Sequence, residues 1–356
     1  MLVSLEYLYI TQITKLHYDK NAHGMFFNVL RFASLFYGLG SGFKNLLYDK
    51  NILKPKRVDA FVISVGNLTT GGVGKTPVVA ELARYFVEKG ERVAIISRGY
   101  GGKLNNKKVN VISDGINLFY KADMAGDEPY WLAVNLNMCA VLTCADRIKA
   151  AEYAIKELGV TKIILDDGFQ HRKMARDLDI VLVDSEKLFG NENLLPAGPL
   201  REGMEGFKRI DKLVIVSKNT DHSRAEKLAR VYSKKQGIPT FVAKVEPDYA
   251  YNIISGEHLE KGAEVAALSA IGQPEQFYKF LKDYDVLKTI TFDDHHQYAA
   301  DDISSIEGNI ITTEKDAVKL ALLQRPDIYA LKLKTVLDIE KLCYNSEGIK
   351  QPDNRA

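Results

Sequence analysis

Residues 69–76 read TTGGVGKT and lie between an apolar run, AFVISV at 60–65, and a segment with helical spacing, TPVVAELARYFVEK at 76–89. The order is therefore strand, glycine-rich loop, helix. In such a loop the backbone N–H groups of Thr69, Thr70, Gly71, Gly72, Val73 and Gly74 curl around phosphates. Lys75 brings a positive charge to the β- and γ-phosphates, and Thr76 offers its hydroxyl to Mg²⁺. Pro77 falls early in the helix, where a missing N–H costs little. One position departs from the common pattern, since Thr69 stands where a glycine is usual. The alternative is a glycine-rich turn holding a chance GKT, and the flanking strand and helix argue against it.

Three further clusters could do chemistry. IILDDGFQH at 163–171 is an apolar strand that ends in paired acids. Two adjacent carboxylates are costly unless a cation is near, so Asp166 or Asp167 is a candidate to bind Mg²⁺ directly or through water. A solvated turn after a strand is the plainer possibility. GDEP at 126–129 places Asp127 and Glu128 before the helical run YWLAVNL. They either cap that helix or supply a base or metal carboxylate that activates an acceptor hydroxyl. FDDHHQY at 292–298 sets His295 beside an aspartate, as an oriented proton acceptor or as an ordinary surface pair. Arg98 and Arg201 are candidates for gripping acidic groups, and surface or structural ion pairs are the competing fate.

The elements that must position these residues alternate. After AFVISV come RVAIIS (92–97), MCAVLT, KIILDD, DIVLVD and KLVIVS, several of them separated by helical patterns such as 145–158. The alternation predicts an α/β fold, a mostly parallel sheet covered by helices as in P-loop nucleotide hydrolases. A polar break at 217–222 suggests a boundary, and TFVAKV, EVAALSAI, LKTITF and NIITT beyond it predict a second, smaller α/β domain. The expected layout is an extension at 1–24, a helix at 25–50, a kinase-type domain at 51–220, the smaller domain at 221–344 and a fraying tail at 345–356.

The chain has 356 residues, 46% hydrophobic and 26% charged, enough for two domains with a sizeable core. A net charge of +2 gives no reason to expect a nucleic-acid partner. Three cysteines, Cys139, Cys144 and Cys343, do not make a disulfide framework and fit a reducing compartment. No apolar run is long enough to span a bilayer, and no secretory leader pattern opens the chain. The stretch from Met25, MFFNVLRFASLFYGLGSGFKNLLYDK, is an apolar helix with basic edges. It either lies at a membrane interface or packs on the protein's own core.

Taken together, GNLTTGGVGKTP, RGYGG, GDEP, DDGFQH, LPAGPLRE, FDDHHQY and TEKDAVK occur in an order that closely resembles the tetraacyldisaccharide 4'-kinases, from about Met25 to about Leu333. The resemblance implies transfer of the ATP γ-phosphate to the 4'-hydroxyl of a tetraacylated glucosamine disaccharide 1-phosphate, giving lipid IVA in lipid A biosynthesis. It implies ATP and Mg²⁺, and a cytoplasmic enzyme held peripherally on the inner membrane; a monomer is expected. By motif, Asp127 and His295 form the catalytic pair, with Lys75. Thr76, Glu128 and Asp166, with Asp167 beside it, hold Mg²⁺, and Arg98, Gln170, His171 and Arg201 meet the lipid substrate. The competing class is a partitioning-type ATPase switch acting on a protein or membrane. Its signature lysine would fall at Thr70, which counts against it.

Residues 1–24 match nothing in that resemblance and close on His17, Asp19, Lys20, Asn21 and Gly24. Met25 is the expected native start, so this stretch should make few core contacts. A second interfacial helix is the alternative.

Overall fold

A computed structural model describes residue 13 and residues 15–272, 274–293 and 296–344. The expected tail at 345–356, residues 1–12 and 14 of the extension, and His295 lie outside the described residues. The chain divides into two compact units.

The first unit comprises Met1–Val216, Arg224–Val242 and Leu337–Ala356. Its strands are β1 (Phe61–Asn67), β2 (Val93–Ser97), β3 (Asn110–Ser113), β4 (Cys139–Thr143), β5 (Lys162–Asp166), β6 (Leu178–Asp184) and β7 (Lys212–Ser217). They lie side by side in the order β7-β6-β1-β5-β2-β4-β3. All pairings are parallel except β3 with β4. The apolar runs of β2, β4 and β6 are buried along their whole length, as strands covered on both faces must be. Helix α2 (Lys75–Glu88) packs on β1, β2 and β5, and α5 (Arg147–Leu158) packs on β2 and β4. Between them come the short α3 (Ala122–Ala125) and α4 (Asp127–Asn135). Asp146 caps α5 by accepting from the Ile148 amide, and Gly159 ends it in the left-handed region. The α/β fold with a mostly parallel sheet is as expected.

The expected break at 217–222 is where the chain first leaves this unit, but a single division at 220 does not describe it. Helix α6 (Ser223–Gln236) buries Ala225 and Ala229 in the same apolar cluster as Phe189, Phe207 and Ile215, which returns it to the first unit. The last helix, α10 (Ile339–Cys343), buries Leu342 and touches α2.

The second unit, Ser217–Ser223 and Ala243–Val336, holds most of β8 (Thr240–Asn252) with β9 (Glu264–Ser269), β10 (Asp285–Thr291), β11 (Asn309–Thr313) and β12 (Ile328–Val336). Their order is β10-β9-β11-β12-β8, parallel but for β12 with β8. Short helices α7 (Pro274–Lys279), α8 (Ala300–Ser304) and α9 (Glu314–Leu320) accompany them. The core is built from Ala266, Leu268, Ile303, Ile306, Ile310, Leu320 and Ile328.

Helix α1 (Met25–Asp49) precedes β1 and has two different sides. Phe27 and Leu30 are buried with Ala197, whereas Val29, Phe32, Leu35, Phe36, Leu39 and Phe43 are each at least 60% exposed. Among the described residues no helix is long and apolar enough to cross a membrane.

Contrary to the expectation of few contacts, the described part of the extension packs on the first unit. His17 is buried, and Leu16 and Ala22 pack against Phe27, Leu30 and Ala197. An apolar or ring-bearing residue at each of these positions has a matching surface to cover, which the polar close at 19–24 concealed.

Candidate active site

Strand β1 ends at Asn67 and the glycine-rich loop carries the chain into α2 at Lys75. Register places Val65 of β1 opposite Asp166, the last residue of β5, so the two strand tips that carry the loop and the acids are neighbours. Gly66 lets the turn after β5 lie against β1: a Cβ there would lie 2.6 Å from the Cβ of Phe169 and 2.8 Å from its amide. Gly74 has a φ of 91°, where an L side chain is strained, and turns the loop into the helix. No side chain caps the start of α2. Helix N-termini leave donors without intrahelical partners, so this end suits an anion.

LPAGPLRE runs along the loop. The Thr70 amide donates to the Pro199 carbonyl (2.7 Å), the Arg201 amide donates to the Leu68 carbonyl (2.8 Å), and Thr69 bridges Leu200. Thr69 is buried while Gly71 and Gly72 are exposed, so the loop is anchored at its base and open at its crest.

Lys75 is held in place. Its ammonium donates to Asn67 Oδ1 at 3.2 Å and lies 3.5 Å from Asp167. Asn67 also donates to the Thr69 carbonyl at 2.5 Å. Asp167 has a φ of 54°, meets Arg201 through both oxygens (2.7 and 2.8 Å), and accepts at its backbone carbonyl from Arg147 (2.9 Å). Burial works against the Asp167 carboxylate, but Lys75, Arg201 and Arg147 together outweigh it and hold its pKa below the ordinary value.

Asp166 is the opposite case. It is buried, and its Oδ1 has no hydrogen-bond partner. Burial, with Glu128 and Asp167 adding to it and Lys75 and Arg147 opposing, pushes its pKa up to about 6. An orphaned buried carboxylate oxygen is what a divalent cation or its water would satisfy. Among the described residues no three His, Cys, Asp or Glu side chains already form a metal cluster. Mg²⁺ takes one or two carboxylates and completes its shell from phosphates and water. Asp166, with that unpartnered oxygen, suits such a site; Thr76 lies in the first turn of α2 and Glu128 in the first turn of α4.

Asp127 is the first residue of α4 and half-buried; the N-cap position belongs to Gly126. The aspartate therefore favours the helix dipole without being the capping side chain. Gln170 donates to the Asn67 carbonyl (3.0 Å) and to Glu202 (2.9 Å), so it braces the loop from below. His171 is half-buried with no partner for its Nε2; burial, reinforced by Arg147, Lys44, Lys173 and Arg176, drives its pKa down to about 4. Arg98 is exposed, its guanidinium 5.0 Å from the centre of the Tyr100 ring. Arg201 is an ion-pair partner here, the structural fate weighed for it above.

In the second unit His295 is outside the described residues. His296 stacks on Phe292, its Nε2 lies 2.9 Å from Asp302, and its carbonyl accepts from Lys319 (3.2 Å). Asp316 of TEKDAVK is fully buried, where it accepts from the Ala270 amide (3.0 Å) and the Thr313 hydroxyl (2.8 Å).

The family model for tetraacyldisaccharide-1-P 4'-kinase matches residues 26–345. The chain belongs to this family. Tetraacyldisaccharide 4'-kinases of Halothermothrix orenii and Syntrophus aciditrophicus are 38% and 36% identical to it, each over 321 residues. The alignments cover 82% of this chain and 83% of the first relative, and 83% and 85% for the second. A crystal structure of "apo" form LpxK from Aquifex aeolicus in complex with ATP matches with a TM-score of 0.72 at 36% identity, covering 90% of this chain and 97% of that one.

Against this kinase family the residues that sequence reasoning passed over are Asn67, Arg147 and Glu202. Glu202 is buried, pairs with Arg209 at 2.7 Å, and accepts from Gln170 and from Asn45 of α1 (3.0 Å). Both Asn67 and Glu202 sit inside quoted motifs. A polar residue directly at a strand end before the loop was the available signal for Asn67.

Proposed function

We propose that this kinase transfers the γ-phosphate of ATP to the 4'-hydroxyl of a tetraacyl glucosamine disaccharide 1-phosphate, with Asp127 as the base and His295 supporting it. The observation that carries the reading is Lys75 pinned between Asn67 and Asp167 at an uncapped helix start, beside Asp166 with its unpartnered oxygen. A fixed ammonium and the amides of a helix start that no side chain caps act there on charge that grows on the transferring group. The 4'-oxygen forms its bond to the γ-phosphorus as the bond to ADP breaks, and the hydroxyl proton passes to Asp127. Mg²⁺, when bound, supplies positive charge to the phosphate oxygens; Asp166, Thr76 and Glu128 are the residues to hold it, with Asp167 balancing Lys75. Arg98 and His171 are the residues we assign to the acidic and hydroxyl groups of the lipid, while Arg201 and Gln170 brace the loop's base through Asp167, Asn67 and Glu202.

The apolar side of α1 gives the substrate's acyl chains and a bilayer surface something to meet. This reading puts the enzyme peripherally on the cytoplasmic face of the inner membrane, where its acceptor is presented.

ADP formation measured with and without the lipid disaccharide 1-phosphate in detergent micelles tests the reaction class. Turnover that requires the lipid is expected. Equal ADP formation in its absence would mean an ATPase switch instead.

A further inference from the structure

Residues 15–23, ahead of the part matched by the family model, are tied to the nucleotide loop by a set of specific contacts. His17 is 7% exposed and its Nε2 lies 2.9 Å from the Pro196 carbonyl. The Asn191 amide donates to the His17 carbonyl (2.8 Å), and the Asn191 side chain donates to both the Leu16 carbonyl and the Ala197 carbonyl (2.9 Å each). The segment is thus fastened to the 191–200 stretch that forms the wall of the glycine-rich loop. Its next residue reaches the loop itself: the Tyr18 hydroxyl donates to the Thr70 carbonyl at 3.2 Å. A Cβ on Gly71 would lie 3.5 Å from the same hydroxyl. The Lys187 ammonium sits 4.9 Å from the centre of the Tyr18 ring, on the other side of the contact.

Thr70 is therefore gripped twice. Its amide donates to Pro199 and its carbonyl accepts from Tyr18, so the peptide on each side of the residue has a fixed direction. The amides that follow, from Gly71 on, are the donors a phosphate needs, and their orientation depends on where the Thr70 peptide points. A loop fixed in advance loses less entropy when it closes on a ligand.

We propose that residues 15–23 are a strap that pre-orders the phosphate-binding loop, and that Tyr18 is a positioning residue for the nucleotide. The inference rests on the reading that the 69–76 loop holds the phosphates of ATP. Tyr18 touches neither reactant; it acts through the Thr70 peptide.

The test is Tyr18→Phe in the full chain, which keeps the ring over Lys187 and deletes one hydrogen bond. A single hydrogen bond of this kind is worth a factor of about three to ten. The dissociation constant and KM for ATP should rise by that factor, while the KM for the lipid acceptor, kcat and the melting temperature stay close to wild type. Amide hydrogen exchange over residues 69–73 should quicken in the variant. An unchanged ATP dissociation constant, whether or not the melting temperature falls, would overturn the proposal. Tyr18→Ala also removes the contact with Lys187 and should weaken ATP further; binding stronger than that of Tyr18→Phe would count against the strap. Wild-type protein and Lys75→Ala titrated with ATP separate the two ideas. If Lys75→Ala binds ATP as wild type does, the loop reading fails; if it binds poorly and Tyr18→Phe binds normally, only the strap fails.

Discussion

Arg201 closes on Asp167 through both carboxylate oxygens, at 2.7 and 2.8 Å, while Lys75 stands 3.5 Å from one of them. One carboxylate thus shares two cations, and Arg201 takes the larger part. Were Asp167 left to Lys75 alone, the ammonium would be drawn toward it and away from a phosphate.

Arg201→Ala should therefore lower kcat by about tenfold or more and cost roughly 1.5 to 3 kcal/mol in urea unfolding, the range for a hydrogen bond to a charged group. Arg201→Lys restores charge but not the two-oxygen contact, and should recover only part of kcat. Steady-state kinetics with urea denaturation of the three proteins checks this. Wild-type kcat in the alanine variant would show that the pair does not govern Lys75.

Asp127→Asn keeps the shape and removes the basicity. Chemistry should slow by about 10² to 10⁴, the usual contribution of a general base, with ATP affinity near wild type. Single-turnover quench measurements isolate that step. If turnover per folded enzyme holds and only the melting temperature falls, Asp127 serves the dipole of α4 and nothing more.

Two groups at the site give opposing pH dependences. His171 is held at about 4, against an ordinary 6.5, by burial and then by Arg147, Lys44, Lys173 and Arg176. Between those values the unfolded chain takes up a proton the folded protein refuses, so acidification through that window lowers stability. Asp166 is raised to about 6 from 3.8, first by burial, so the folded protein binds a proton earlier than the unfolded chain and acidification from about 6 raises stability. Metal-free Asp166→Asn should accordingly lose stability more steeply than wild type as pH falls from 6.5 to 4. His171→Gln should lose less stability than wild type over the same range. Urea midpoints across that range in EDTA decide it, and identical slopes in all three proteins would remove both assignments.

Much of this site was readable in the chain because its parts are local. TTGGVGKT carries its own strand and helix on either side, and DDGFQH closes a strand that register sets beside the first. Asn67 stood out only as a polar residue at a strand end; its role comes from Lys75 turning back eight residues to meet it. Glu202 and Arg147 were missed for a related reason. A buried Glu is explained only by its partners, and Gln170, Arg209 and Asn45 reach it from three separate parts of the chain. Arg147 looks like an ordinary first-turn residue of α5 until the fold brings the Asp167 carbonyl to it. The extension was misjudged because its polar ending suggested separation, whereas His17 and Tyr18 find polar partners on the first unit.

The exposed side of α1 predicts a membrane effect. Phe32 and Phe36 are each 63% exposed and touch edge to face at 5.3 Å. Replacing both with Ser should release protein from vesicles in a sedimentation assay and raise the KM for lipid in mixed micelles, leaving the fold intact because neither ring is in the core. Unchanged vesicle binding with unchanged KM would make the exposed face irrelevant to the substrate.

Lys75 and the loop around it are proposed to deliver the ATP γ-phosphate to a sugar hydroxyl. Incubation with γ-labelled ATP and tetraacyl disaccharide 1-phosphate, followed by extraction of the lipid and location of the added phosphate by mass spectrometry and ³¹P NMR, measures it directly. One labelled phosphate is expected at the 4' position, with Lys75→Ala reduced by about 10² or more. Label found only as free phosphate, or a Lys75→Ala variant as active as wild type, would contradict it.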